Sequence, residues 1–166
     1  MLTVADIDPD AITELLGRFG LSARRVGDDA PIEGTFWGEP EAGIAGLQVF
    51  MRGDTPVHSL LHEACHIICM DSSRRESLHR DAGGDDLEES AVCYLQVLLA
   101  DELAGVGRRR LLQDMDVWGY SFRLGSTAAW FADDAADAAR WLQKYGLLSA
   151  SGDPGYRLRE RGYRGL

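Results

Sequence analysis

The stretch Val57-His58-Ser59-Leu60-Leu61-His62-Glu63-Ala64-Cys65-His66-Ile67-Ile68-Cys69-Met70 decides what this chain folds around. It follows Asp54-Thr55-Pro56, in which Thr55 can cap a helix and the proline suits the first turn. A helix is therefore predicted to begin there and to run to about Met70. Inside it, His62-Glu63-Ala64-Cys65-His66 has the form H-E-x-x-H. Residues four apart lie one turn up on the same face, so both imidazoles can address a single ion. Glu63 is turned by about 100° from His62, and its longer side chain reaches water on the ion rather than the ion itself. Zinc suits such donors and lowers the pKa of that water towards ~7, leaving Glu63 to accept its proton as general base. With four histidines in 166 residues, a chance pentad is expected on the order of once in a few hundred such chains.

The neighbours of the motif read as its support. His58 extends the histidine ladder, but the rise of ~1.5 Å per residue puts it about 12 Å from His66 along the axis, too far to share an ion readily. It is expected beside the site, without a direct metal role. Cys65 is rotated about 100° from His66, and Cys93 follows the apolar spacing of a later helix, so both are expected in the core.

Upstream, Ile32 to Arg52 carries Thr, Phe, Trp, Val and Ile interrupted by Gly38-Glu39-Pro40-Glu41-Ala42-Gly43, a pattern of two antiparallel strands. Leu47 to Arg52 is the stronger strand. Before it, Asp8 and Pro9 open an amphipathic helix with Ile12, Leu15, Leu16 and Phe19 on one side and Gly20 at its end.

A catalytic zinc takes three protein ligands and keeps one position open, so a third ligand must come from elsewhere. Beyond the polar stretch Asp71 to Gly84, the segment Asp85-Asp86-Leu87-Glu88-Glu89-Ser90-Ala91 opens a helix predicted over roughly Leu87 to Leu103. Its carboxylates lie 19 to 23 residues after His66. Helix capping and dipole compensation account for such a cluster in general. His79, in the intervening loop, is a competing ligand.

The pairing of His62-Glu63-Ala64-Cys65-His66 with Glu88-Glu89-Ser90-Ala91 on a second helix resembles the gluzincin metallopeptidases, and most of all the compact ImmA/IrrE-like group. The resemblance covers roughly Gly43 to Asp101. It implies a zincin-like domain, a peptide or protein substrate, and a third ligand that opens an E-x-x-A pattern. That ligand maps onto Glu88, with Ala91 three residues later; Glu89 is the alternative ligand, although capping is the commoner role for Glu89, Asp85 and Asp86. His58 stands where the group usually has an aromatic residue, and Val92 where it often has Asn. An edge strand at Leu47 to Arg52 would align an extended peptide by strand addition.

Further along, Arg108 to Met115 forms a short helix, and Trp118 to Ser126 is an aromatic connector. Thr127 to Tyr145 has apolar residues at helical spacing and is predicted as one long helix. A small hairpin is expected over Tyr156 to Leu166. Such zinc sites need a donor for the developing oxyanion; Tyr120 and Arg123 in the connector are the candidates, and Tyr120 is taken as catalytic.

The 27 acidic residues against 17 basic ones give a net charge of -10, which repels phosphate backbones and anionic membrane surfaces. Nucleic acid is therefore not the expected partner. No apolar run approaches the roughly 20 residues that cross a bilayer. The acidic start Met1 to Asp10 is unlike a secretion signal, and an odd cysteine count in apolar surroundings suits reduced thiols, so a cytoplasmic location is expected. The whole is expected to be one α+β domain over residues 1–166: a small antiparallel sheet on the active-site helix and the glutamate helix, with 127–166 as a helical extension and basic tail. The rival to a hydrolase is a binding or regulatory protein. Leu142 to Leu148 followed by Gly155-Tyr156-Arg157-Leu158-Arg159 has the order of a winged helix, although the acidic helix before it would repel phosphates.

Overall fold

A computed structural model describes residues 1–160 of the chain. Within them the elements are α1 (Pro9–Arg18), β1 (Ser22–Arg25), β2 (Gly43–Ala45), β3 (Gln48–Met51), α2 (Val57–Cys69), α3 (Ser72–Glu76), α4 (Asp86–Ala100), α5 (Gly107–Trp118), α6 (Thr127–Asp133) and α7 (Ala136–Lys144). The fold is α+β. In α1 the carboxylate of Asp8 accepts from the Asp10 N–H, Pro9 occupies the first turn, and Gly20, at φ +78°, lets the Leu21 N–H return to the Leu16 carbonyl. The chain is thereby turned straight into β1.

The sheet has the order β1-β3-β2, with β3 antiparallel to β2 and parallel to β1. It is mixed, where an antiparallel sheet was expected. The parallel partner Ser22–Arg25 is short and largely exposed, with no alternation of apolar residues to betray it; its pairing follows from α1 packing beside it. The strand at Leu47 to Arg52 is also the middle strand, not an edge. The free side of β2 is taken by its own loops: the Ile44 N–H donates to the Gly34 carbonyl, and the Ile44 carbonyl accepts from Arg80. Strand addition along β3 is therefore ruled out. A Cβ on Gly43 would stand 1.9 Å from the Glu33 carbonyl oxygen, and one on Gly34 2.4 Å from that of Ile44. Only glycine permits this crossing, which carries Phe36 and Trp37 towards α2.

Every residue of α2 except His62 is buried, so this helix is the centre of the molecule rather than an amphipathic surface helix. Pro56, not Thr55, stands at its start. The Thr55 hydroxyl instead accepts from the Arg52 N–H and closes the turn out of β3, while the Pro56 carbonyl accepts from Ser59 and Leu60. A buried helix end leaves carbonyls to satisfy, and two arginines do so here. Arg75 donates to the carbonyls of Ile67, Met70 and Arg159, and Arg159 donates through its side chain to Cys69 and through its backbone to Ile68. Their positive charge also suits the negative end of the helix.

α4 starts at Asp86, with Asp85 capping it by accepting from the Glu88 N–H. The segment expected as one helix from Thr127 to Tyr145 breaks at Asp134 and Ala135, whose backbones leave helical geometry. Asp134 there binds the guanidinium of Arg123. Trp130, Ala138, Trp141 and Leu142 belong to the same apolar core as α2 and α4, so these helices are built into the molecule and are not an extension of it. After the Leu148 and Pro154 bridge the chain packs back on the end of α2 instead of projecting as a wing. Arg159 is engaged with Glu88, Tyr145 and Trp141, which removes it from the phosphate-binding set that the winged-helix reading requires. Residues 161–166 of the hairpin expected over Tyr156 to Leu166 lie outside the described residues. Cys65, Cys69 and Cys93 are buried free thiols. Among the described residues, no helix is long and apolar enough to cross a membrane.

Candidate metal centre

His62 and His66 emerge from α2 where α4 crosses it, and the carboxylate that meets them is that of Glu89. His62 Nε2 lies 2.9 Å from one Glu89 oxygen and His66 Nε2 3.3 Å from the other. The two imidazole rings stand at 90°, with centroids 4.6 Å apart. All three donor atoms fall within 4.8 Å of one another. Bonds of ~2.0–2.2 Å arranged tetrahedrally separate donors by about 3.3–3.5 Å. The triad can therefore hold a metal ion with small adjustments of side chains.

Glu88, the expected third ligand, points elsewhere. Neighbouring residues on a helix are about 100° apart, and the Asp85 cap sets the register of α4 so that Glu89, half-exposed, takes the cleft side. Glu88 instead lies buried against the end of α2. Arg74 grips both its oxygens, at 2.8 and 2.5 Å, and Arg159 donates to one of them at 3.1 Å. Two arginines around one buried carboxylate explain how the charge is tolerated there. The glutamate that meets the two histidines thus begins a pattern with Val92, not Ala91, three residues on.

Glu63 is buried beside the triad and lines the cleft above it. Burial pushes its carboxyl up to about 7, with Glu41 and Glu89 adding to the effect and the charge of His62 opposing it. A carboxyl near neutrality is suited to taking and returning a proton. Burial raises the Glu89 carboxyl, but its bond to His62 and the charges of both histidines bring it below the usual range. Burial holds His66 down at about 4, helped by the charge of His62. Burial also works against charging His62, yet Tyr120, Cys93 and Glu89 together carry it well above the ordinary histidine range.

Sequence reasoning missed Gln96. It is fully buried on α4, its Oε1 lies 2.8 Å from His62 Nδ1, and its amide nitrogen donates to the His58 carbonyl at 2.9 Å. The signal was available: seven residues after Glu89, hence on the same face, a glutamine interrupts the apolar run of Ala91 to Ala100. Tyr120 stands on the cleft wall, edge-on to His62, with its hydroxyl 3.2 Å from His58 Nδ1 and 3.4 Å from the Gln96 amide nitrogen. Arg123 pairs with Asp134 and does not join the triad, and His79 bridges Ala45 at the sheet edge.

The cleft has two arms that share Trp37, His62, Glu63 and Glu89. The larger, about 620 Å³, is walled by Trp37, Glu41, Trp118 and Tyr120, and the smaller, about 230 Å³, by Phe36, Arg80 and Gly83. Trp118 donates to Glu41 at 2.9 Å, and Ser59 accepts from the Ala42 N–H at 3.0 Å, tying the upper wall to α2.

His58 is buried against Trp118 and Tyr120, and its Nε2 has no partner among the described residues. Burial, with the charge of His62, holds it down at about 4, against ~6.5 in the unfolded chain. The unfolded state therefore binds this proton first as pH falls. The stability His58 supplies is complete above about pH 6.5 and is lost between there and pH 4, a change of about 3 kcal/mol. Chemical unfolding at pH 7 and pH 4.5 should show the His58→Phe variant losing less stability than the wild type; an equal loss contradicts this.

Compared with protein-family models, with curated proteins and with solved structures, the chain gives no match.

Proposed function

We propose that this chain is a zinc-dependent hydrolase, zincin-like in its site, that cuts peptide or related amide bonds. The observation that carries the proposal is the convergence of His62, His66 and Glu89 at the floor of an open cleft with a buried glutamate, Glu63, beside them. Two imidazoles and one carboxylate form a donor set that zinc favours, with one position left open. Bound there, zinc supplies a Lewis acid for a carbonyl oxygen and lowers the pKa of water.

The chain's own residues do the rest. Glu63 accepts a proton from the attacking water and returns it to the departing amine, which its raised pKa allows in both directions. The Tyr120 hydroxyl, on the wall of the same cleft, is placed to donate to the oxyanion after leaving His58. The aromatic walls at Trp37 and Trp118 offer apolar surface for substrate side chains.

The purified protein should contain close to one zinc per chain and cleave members of a quenched-fluorescence peptide library. Removing the zinc with a chelator should abolish cleavage, and returning it should restore cleavage. Metal-free protein that does not take up zinc, or cleavage indifferent to chelation, contradicts the proposal. Tyr120→Phe should keep its zinc and lower kcat by on the order of 10²- to 10³-fold, with KM little changed; unchanged kcat removes Tyr120 from the chemistry.

A further inference from the structure

Resting on the zinc reading above, we propose that Gln96 is a positioning residue that fixes the tautomer of His62 and so presents its Nε2 lone pair to the metal. The hydrogen bonds allow one arrangement. The backbone carbonyl of His58 can only accept, so the group 2.9 Å from it must be the Gln96 nitrogen. The amide oxygen then faces His62 Nδ1 at 2.8 Å. That oxygen, too, can only accept, so Nδ1 carries a hydrogen, and when zinc displaces the hydrogen that Nε2 shares with Glu89 the Nε2 lone pair is the one left for the metal.

Gln96 is 0% exposed, so no water replaces either bond. Its second amide hydrogen points at the Tyr120 hydroxyl, 3.4 Å away. One side chain thus ties a metal ligand on α2, the backbone of α2 and the cleft wall to α4. His66 has no such support: its Nδ1 is buried without a partner among the described residues. Without Gln96 the buried Nδ1–H of His62 would lose its acceptor. A neutral His62 ring would then keep its one hydrogen on Nε2, where Glu89 accepts it at 2.9 Å, rather than on Nδ1, and zinc would have to displace it from both donor groups.

The test compares Gln96→Met, which keeps the volume and removes the acceptor, with Gln96→Glu, which keeps an acceptor for Nδ1–H. Zinc affinity is read by chelator competition, and the visible spectrum of the cobalt-loaded protein reports ligand geometry. Gln96→Met should bind zinc about 10- to 100-fold more weakly with an altered cobalt spectrum, while Gln96→Glu should stay within several-fold of wild type. A role in packing alone gives the reverse order, because methionine fits an apolar core and a buried carboxylate does not. Wild-type affinity in Gln96→Met, or equal weakening in both variants, overturns the clamp and leaves the zinc site standing. If neither variant folds, imidazole NMR of the zinc-loaded wild type decides: a protected, hydrogen-bonded Nδ1–H on His62 supports the clamp, and its absence overturns it. Wild-type protein that takes up no zinc overturns the metal reading, and the clamp with it.

Discussion

Glu63→Gln should bind zinc as the wild type does and lose on the order of 10²- to 10⁴-fold in kcat. Glu63 is not one of the three converging donors, so the metal has no reason to leave with its charge. The amide has nearly the shape of the carboxyl but cannot take a proton from water. Stability argues in the same direction. Glu63 is 8% exposed and its ionised form is disfavoured by burial and by two neighbouring glutamates, so a neutral isostere should leave the fold as stable or make it more so. Lost turnover in a well-folded, zinc-loaded variant can then be assigned to proton transfer. Undiminished turnover removes Glu63 from the mechanism.

Adjacent glutamates should give opposite phenotypes. Glu88→Ala removes a buried carboxylate and leaves the half-buried Arg74 and Arg159 facing each other with no carboxylate between them. Breaking a buried ion pair in this way costs about 3–5 kcal/mol, which for a chain of this size lowers Tm by roughly 6–20 °C. The folded fraction should still bind zinc. Glu89→Ala removes a half-exposed side chain and should change the metal-free Tm little, but zinc affinity should fall by more than about 100-fold. Calorimetry and chelator competition on both variants read the two quantities separately. Zinc loss in Glu88→Ala without a drop in stability would restore Glu88 as the ligand.

The contrast between these two residues shows what the sequence could and could not carry. The H-E-x-x-H spacing is a local property of one helix, so the convergence of His62 and His66 was legible from residue numbers alone. So was the Asp8 cap, because a capping bond spans two or three residues. The choice between Glu88 and Glu89 depends on where α4 begins and how it rolls on α2, and a shift of one position turns a ligand into an ion-pair partner. Resemblance pointed to Glu88 because it attends to residue pattern; Arg74 and Arg159, which claim Glu88, lie 14 residues before it and 71 after it. β1 was illegible for a related reason, since its four residues pair with β3 across more than twenty positions of chain. Likewise, the break at Asp134 interrupts a helical pattern that continues through it, and nothing in the local spacing marks it.

The most direct test is a crystal of the zinc-loaded protein measured on both sides of the zinc absorption edge. One strong anomalous peak is expected at about 2.0–2.2 Å from His62 Nε2, His66 Nε2 and a Glu89 oxygen, with Glu88 still held by its two arginines. A zinc-loaded crystal with no peak among those three side chains, or with the peak on Glu88, would contradict it.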